Sequence, residues 1–173
     1  MKNNYPTKEN KMSDGTMLKI EGLAYYAKVK EPGPDFNESK NPGSGRFQYE
    51  VNLALDEDGV ALIKSKGVNV GFKEAGGRPY TDKPVILVKR WATDYNGNPN
   101  QAPFAKDADR EDFFDPDKDD EYIPNGSRVA VFWHPYTYSK GKYTTAWFDG
   151  IQVLELANTS EANPDINEDE IPF

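Results

Sequence analysis

Two aromatic-rich segments, SRVAVFWHPYTY (Ser127–Tyr138) and YTTAWFDGIQVLEL (Tyr143–Leu156), decide the fold of this chain. The four residues between them, SKGK (139–142), are polar and contain a glycine, so the two segments are predicted to form a β-hairpin. Adjacent residues of a strand point to opposite faces, so of Phe132 and Trp133 one should be in the core and the other on the surface. The hairpin is therefore expected to carry aromatic rings on both faces.

Further strand candidates precede the hairpin, over residues 17–30, 46–55, 68–73 and 84–92. The second alternates between apolar and polar residues, as a half-buried strand does, whereas the last is apolar on both faces until it ends in two cations and a tryptophan. One helix is predicted over residues 59–66, because acidic residues favour its N-terminus and a glycine ends it. Five or six strands with one inserted helix predict an all-β barrel or sandwich.

Gly22 lies inside the first strand candidate, at the point where the alternation slips. A glycine within a strand often marks a bulge or a sharp bend, so a bend is expected there. Residues 31–45 are rich in Pro, Gly and Asn and are predicted to be a long loop.

The composition limits the possible chemistry of the chain. Its 173 residues contain no cysteine and one histidine, His134, so disulfides, thiolate metal sites and multi-histidine metal sites are excluded. No phosphate-binding glycine loop or nucleophile motif is present, so no catalytic residue, cofactor or metal is predicted and the protein is not expected to be an enzyme. No apolar stretch suits a transmembrane helix or a secretory signal, so a cytoplasmic location is expected.

The net charge of −8 is unevenly distributed. From Glu155 onward there are six carboxylate side chains and no Lys or Arg, and residues 105–124 hold nine acidic residues against three basic ones. The rest of the chain is therefore positive, which suits a nucleic-acid-binding body with acidic appendages. We expect three regions: a flexible N-terminus (1–16), a domain (17–156) and a disordered acidic tail (157–173).

Single-stranded nucleic acid requires cations for its phosphates and flat rings for its bases. Cations and aromatic residues occur together in the hairpin, at the end of the strand over 84–92 and beside the loop over 31–45. Roughly half of these aromatic residues are expected in the core instead. The candidate DNA-binding residues are Lys28, Lys30, Arg46, Lys89, Arg90, Trp91, Arg128, Trp133, Tyr136, Tyr138, Lys140, Lys142, Tyr143 and Trp147.

The chain ends in an acidic segment with an apolar tip, made of Asp169, Glu170, Ile171, Pro172 and Phe173. An aromatic ring beside a terminal carboxylate suits a small pocket with a basic rim on a partner protein, so a docking role is predicted. The alternative is a tail that adds charge alone.

The tip, DEIPF, resembles the acidic tips of bacterial single-stranded DNA-binding proteins, while the body, chiefly residues 126–156, resembles the phage single-stranded DNA-binding proteins. The second resemblance implies an OB-fold, a five-stranded barrel with its helix between the third and fourth strands. It implies sequence-tolerant binding of single-stranded DNA in phage replication and recombination, in the host cytoplasm. It also implies recruitment of polymerase and helicase-primase by the tail, homodimers and strand annealing. Unless the first strand, bent at Gly22, counts as two strands, the helix predicted here follows the second strand and departs from that pattern.

Three other interpretations remain open from the residues. The aromatic surface could recognise carbohydrate or a protein, and the acidic run from Asp107 to Glu121 could mimic DNA. Residues 115–121 have the start of a calcium loop but lack its glycine and final glutamate, so they are expected to be a solvated acidic loop or a flap that repels DNA. His134 is expected to be a strand residue without a catalytic role.

Overall fold

In the computed structural model, the structure describes residues 17–74, 79, 81–94, 96–119, 121–138 and 141–158. The strands are β1 (Leu18–Pro34), β2 (Phe47–Ala54), β3 (Phe72–Lys73), β4 (Val85–Trp91), β5 (Phe104–Lys106), β6 (Ser127–Tyr138) and β7 (Tyr143–Glu155). The helices are α1 (Phe36–Lys40) and α2 (Glu57–Ser65). No helix among these residues is long and apolar enough to cross a membrane.

Five of the strands form a closed barrel, as the sequence predicted. β1 pairs with β2 and β6, β2 with β4, and β6 with β7, all antiparallel, and a parallel pairing of β4 with β7 closes the circle. β3 and β5 extend the sheet beside β4 and β7. This is the strand order of an OB-fold.

One helix matches the prediction and one was not predicted. The predicted helix over 59–66 is α2, which follows the second barrel strand as the sequence indicated, whereas the resemblance implied a position between the third and fourth strands. Asp56 caps it by accepting a hydrogen bond from the backbone N–H of Gly59 at 2.8 Å. A second helix, α1, forms inside the predicted loop because the Asp35 carboxylate caps it in the same way. The strand predicted over 68–73 is reduced to β3.

Gly22 does not mark the bend in β1. Its pairing with β6 is continuous, Gly22 to Val129, and a Cβ at this position would lie 2.5 Å from the carbonyl oxygen of Ala54. The glycine therefore lets β1 and β2 approach closely. The pairing of β1 with β2 is irregular at two places instead, between Tyr25 and Lys28, where Tyr26 has a φ of 55°, and between Lys28 and Gly33.

The closing hairpin supplies much of the core. β6 and β7 change register between Phe132 and Trp133, so Asp149 has no opposite residue and forms a bulge. The bulge allows both Phe148 and Ile151 to point inward, where they pack with Trp133 in the same buried cluster. The outward side chains of the hairpin form part of the barrel surface.

Candidate nucleic-acid interface

Trp91, at the end of β4, is accompanied by two cations. The guanidinium carbon of Arg46 lies 4.1 Å from a ring centre of the Trp91 indole, and the ammonium nitrogen of Lys89 lies 4.3 Å from a ring centre of the same indole. Arg46 also donates a hydrogen bond to the carbonyl oxygen of Thr93 at 2.7 Å, so its position beside the ring is fixed. We call Arg46, Lys89 and Trp91 the Trp91 cluster. It combines a ring with cations, as phosphate and base contacts require.

Lys89 is partly removed from water. Burial lowers the pKa of its ammonium group, and nearby Asp35 and Glu50 oppose this while Arg46 adds to it. Glu50 is the cross-strand partner of Lys89 on β2. The ammonium group is therefore poorly hydrated and would gain from contact with a phosphate.

The loop after the Trp91 cluster is ordered by Asp94. Its carboxylate accepts hydrogen bonds from the backbone N–H groups of Asn96 at 2.8 Å and Asn98 at 2.9 Å. These bonds, with the largest effect from Asn98, lower the pKa of Asp94. The turn thus helps to fix the carbonyl of Thr93 that holds Arg46.

The parallel pairing of β4 with β7 brings the Trp91 cluster and the hairpin together. Lys89 is paired with Trp147 in this register, so two residues 58 positions apart are neighbours on the outer face of the barrel. The Trp147 ring lies 4.7 Å from that of Tyr136 and 5.6 Å from the guanidinium of Arg90. Arg90 donates a hydrogen bond to the Phe148 carbonyl at 3.2 Å.

The aromatic surface continues to the tip of the hairpin. Tyr138 lies 5.9 Å from Tyr136 and 6.3 Å from Tyr143, measured between ring centres, and Tyr143 is 47% exposed. The tip is braced by Asn69, which exchanges two hydrogen bonds with the backbone of Thr144 at 3.0 and 2.9 Å. The exposed Lys142 belongs to this tip. The candidate Lys140 lies outside the described residues, as do the tail residues Asp169, Glu170, Ile171, Pro172 and Phe173.

Three predicted site residues have other surroundings. Trp133 is 1% exposed and lies in the core, so the prediction that it contacts DNA is wrong. Arg128 forms ion pairs with Glu21 at 3.3 Å and Glu155 at 3.6 Å, away from the Trp91 cluster. Lys30 contacts the acidic run, through Asp115, Lys118 and Glu121. Sequence alternation alone could not decide which member of the Phe132–Trp133 pair is internal.

The acidic run is attached to the barrel through Lys30. The Lys30 ammonium donates to the carbonyl oxygens of Asp115 and Lys118 and forms an ion pair with Glu121 at 3.4 Å. Glu121 in turn accepts from the backbone N–H of Asp115 at 2.7 Å. In the described part of the chain no group of three or more acidic or histidine side chains is placed to hold a metal ion.

Two exposed aromatic residues near the Trp91 cluster escaped the sequence analysis. Phe36, on α1, is 74% exposed and has the ammonium of Lys40 5.3 Å from its ring centre. Phe47, at the start of β2, is 46% exposed, and its carbonyl accepts from the N–H of Ala92, next to Trp91. The sequence did offer a signal for Phe36, because an aromatic residue within a Pro- and Gly-rich loop has no strand core to enter. Lys28 is exposed and pairs with Glu50, so it extends the same surface toward β1.

His134 and Asp149 form a pair beside Trp147. The His134 Nδ1 lies 2.8 Å from a carboxylate oxygen of Asp149, the bulge residue, and the histidine ring centre lies 6.4 Å from that of Trp147. The carboxylate orients the imidazole, so His134 has a partner in the strand pair.

Comparison with known proteins gives the fold. No family model and no curated protein sequence matches the chain. The single-stranded DNA-binding protein of bacteriophage Enc34, solved in complex with single-stranded DNA, superposes with a TM-score of 0.58 at 15% identity, over 82% of this chain and 88% of that one. The single-stranded DNA-binding protein gp2.5 of bacteriophage T7 gives a TM-score of 0.54 at 15% identity, over 82% and 93%. The chain has the fold of the phage single-stranded DNA-binding proteins.

Proposed function

We propose that this protein binds single-stranded DNA with little dependence on base sequence. The observation that carries the proposal is the junction of Lys89 with Trp147, which joins the Trp91 cluster and the hairpin aromatics into one outer surface. Its rings would stack bases and its cations would contact phosphates. The fold shared with the Enc34 and T7 proteins, whose names state that they bind single-stranded DNA, supports the same function.

The composition of this surface accounts for the expected sequence tolerance. Stacking requires a flat ring and accepts every base, whereas base reading requires donors and acceptors aimed at base edges. The surface is made mainly of rings and of Lys and Arg side chains, which suit stacking and phosphate contact. The protein would act by binding alone, without a catalytic step or a cofactor.

The biological setting belongs to the same proposal. We place the protein in phage DNA replication and recombination, in the host cytoplasm, on the basis of the resemblance and the shared fold. Its acidic tail, with Phe173 as anchor, would recruit replication proteins such as a polymerase or a helicase-primase. Tethered near a basic surface, the tail would also compete with DNA when no strand is bound, because tethering gives it a high effective concentration.

Tryptophan fluorescence provides a direct test. The intact protein is titrated with oligo-dT at two salt concentrations, with duplex DNA of the same length as a control. Trp91 and Trp147 lie on the proposed surface, so the single strand should quench their emission, and salt should weaken the effect because bound phosphates release counterions. Trp133 is buried, so its emission should change little, and a Trp133→Phe variant should keep the quenching.

The tail-deleted protein makes a negative result interpretable. If neither the intact nor the tail-deleted protein shows quenching at low salt, the proposal is wrong, and binding of carbohydrate or protein becomes the alternative for the aromatic surface. Equal quenching by duplex DNA would also contradict it, because stacking requires unpaired bases.

A further inference from the structure

A cavity on the outer face of the barrel, outside the predicted site, combines rings with cations. Its volume is 380 Å³, and β1, β5, β6 and β7 contribute to its walls. The lining side chains are Met17, Lys19, Phe104, Lys106, Arg110, Phe132 and Gln152. Strand register explains the arrangement: Lys19 pairs with Phe132, and Phe132 and Phe104 both pair with Gly150.

The floor of the cavity is built of two phenylalanine rings. Their centres are 5.2 Å apart and their planes are inclined by 50°. Gly150 makes this possible, because a Cβ there would lie 2.3 Å from the Phe104 ring. The rings are therefore held in place by the strands beneath them and leave an apolar floor open to a flat ligand.

The rim carries positive charge. Lys19 and Arg110 are exposed at the cavity, while Lys106 forms an ion pair with Asp112 at 2.7 Å. Arg110 lies in a compact turn, because its N–H donates to the carbonyl of Asp107 at 3.0 Å. Lys19 and Arg110 are thus the two cations placed to meet an anionic ligand.

The turn that carries Arg110 is fixed to the barrel. The Asp107 carboxylate accepts from the backbone N–H groups of Asp109 and Glu111 at 2.8 and 2.9 Å, which disperses its charge. The side-chain amide of Gln152 donates to the carbonyl oxygens of Asp107 and Ala108, both at 3.3 Å. The cation is therefore presented by an ordered segment.

The cavity continues the proposed DNA surface. Phe132 and Tyr136 are four residues apart on β6, about 13 Å at the usual rise of a strand. Both side chains point outward, with His134 between them. A single strand that contacts Tyr136 and Trp147 could reach the cavity by following β6, since one OB domain contacts about 4–16 nucleotides.

We propose that this cavity is a second nucleotide subsite, which takes a base of the same bound strand on the two phenylalanine rings and its phosphate on Lys19 and Arg110. The inference rests on the proposed DNA binding and extends its footprint past the hairpin. The expected ligand combines a flat ring, which would stack on the phenylalanine floor, with an anionic group, which would contact the cations at the rim.

The test compares short and long oligo-dT, of about 5 and about 15 nucleotides, within the range known for OB domains. The variant is Lys19→Glu/Arg110→Glu, because both side chains are exposed and their replacement should not disturb folding. We expect the variant to bind the short strand as the wild type does. It should bind the long strand about tenfold more weakly, because the contacts of one stacked nucleotide and its phosphate are lost. Lys64→Glu/Lys66→Glu, an equal charge change on and beside α2, should not alter the ratio of the two affinities.

The outcomes separate this inference from the proposed function. If the wild type binds neither oligonucleotide, the proposed function itself is wrong. If the wild type binds both and the variant keeps the wild-type ratio of long-strand to short-strand affinity, the cavity is not a subsite of the strand. A labelled peptide of residues 162–173 that binds the wild type but not the variant, with long-strand affinity unchanged, would assign the cavity to the tail and overturn the inference.

Discussion

In the proposed complex, Trp91 would lie beside both parts of a nucleotide, its base and its phosphate. The cations of Arg46 and Lys89 lie within 4.3 Å of its ring centre, so a base on the ring would bring its phosphate close to positive charge. Arg46 is held by its hydrogen bond to the Thr93 carbonyl, which would reduce the entropy lost on binding DNA. Trp147 repeats the pattern with Arg90 and Tyr136.

Replacing Trp91 or Trp147 by Ala should weaken binding of oligo-dT by about 1–3 kcal/mol each, the contribution of one stacked base. Phe substitutions should restore most of the affinity, because a ring is retained. The measurement is anisotropy of labelled oligo-dT. Leu62→Ala, which removes an exposed apolar side chain on α2, away from the proposed surface, is the control and should bind as the wild type does.

The lowered pKa of Lys89 predicts a pH dependence of DNA binding. A bound phosphate favours the charged ammonium, so binding should raise this pKa and take up protons. Affinity should therefore be constant below the pKa of the free protein and fall as pH rises through it, at a pH below the ordinary 10.5. Titration with oligo-dT at constant ionic strength from about pH 7 to about pH 10 measures the fall, which should begin at a lower pH than the deprotonation of an ordinary lysine.

Lys89→Arg is the control, because guanidinium stays charged throughout this range. Its affinity should not fall where that of the wild type does. Identical profiles for the two proteins would show that Lys89 does not contact phosphate.

At the scale of elements, the parallel pair of β4 and β7 organises the surface, and the acidic segment from Asp115 to Glu121 delimits it. Lys30 holds this segment against β1, so it forms a negative border beside the barrel. A border of this kind would repel phosphates and restrict the path of a strand. Lys30 was predicted to contact DNA, but in the structure it anchors the acidic segment. A substitution at Lys30 therefore distinguishes a DNA contact from a structural anchor.

Lys30→Ala should release the acidic segment rather than weaken DNA binding. The change removes contacts to Asp115, Lys118 and Glu121, and we expect the free energy of unfolding to fall by about 1–2 kcal/mol, as for a partly buried charged hydrogen bond. Urea unfolding and the rate of proteolysis within 115–121 measure this. Unchanged stability with a salt slope of DNA binding reduced by about one would instead identify a phosphate contact.

At the scale of the whole molecule, charge is segregated along the chain. The body is positive once the acidic run and the tail are set aside, although the whole chain carries −8. Such segregation suits a protein whose own tail competes with an anionic ligand. The competition is a matter of charge, whereas partner docking would depend on the apolar tip.

Deleting residues 159–173 should therefore raise the affinity for oligo-dT, most strongly at low salt, where electrostatic competition is least screened. Phe173→Ala should leave DNA affinity unchanged and abolish capture of the replication partner. Anisotropy titrations at two salt concentrations, with a pull-down of purified polymerase, measure the two effects. Unchanged or weaker DNA affinity of the deleted protein would exclude self-screening.

Periodicity was enough to predict the barrel strands and the helix α2, because alternation and capping are local properties of the sequence. The positions of the cations and aromatic residues along the chain also indicated where they would cluster in the interface. Local pattern missed α1, and it misjudged Gly22, because the need for a glycine there comes from the carbonyl of Ala54 on another strand.

The sequence by itself determined the strand content of the barrel, the uneven charge and the identity of the residues suited to stacking. Tertiary structure decided which rings are available: Trp133 is in the core while Trp147 is on the surface, because a bulge at Asp149 changes the register of the hairpin. It also decided that Lys89 and Trp147 are neighbours, since closure of the barrel pairs strands that are far apart in the chain. The physical reason is that side-chain direction follows from strand register, and register depends on contacts between distant segments.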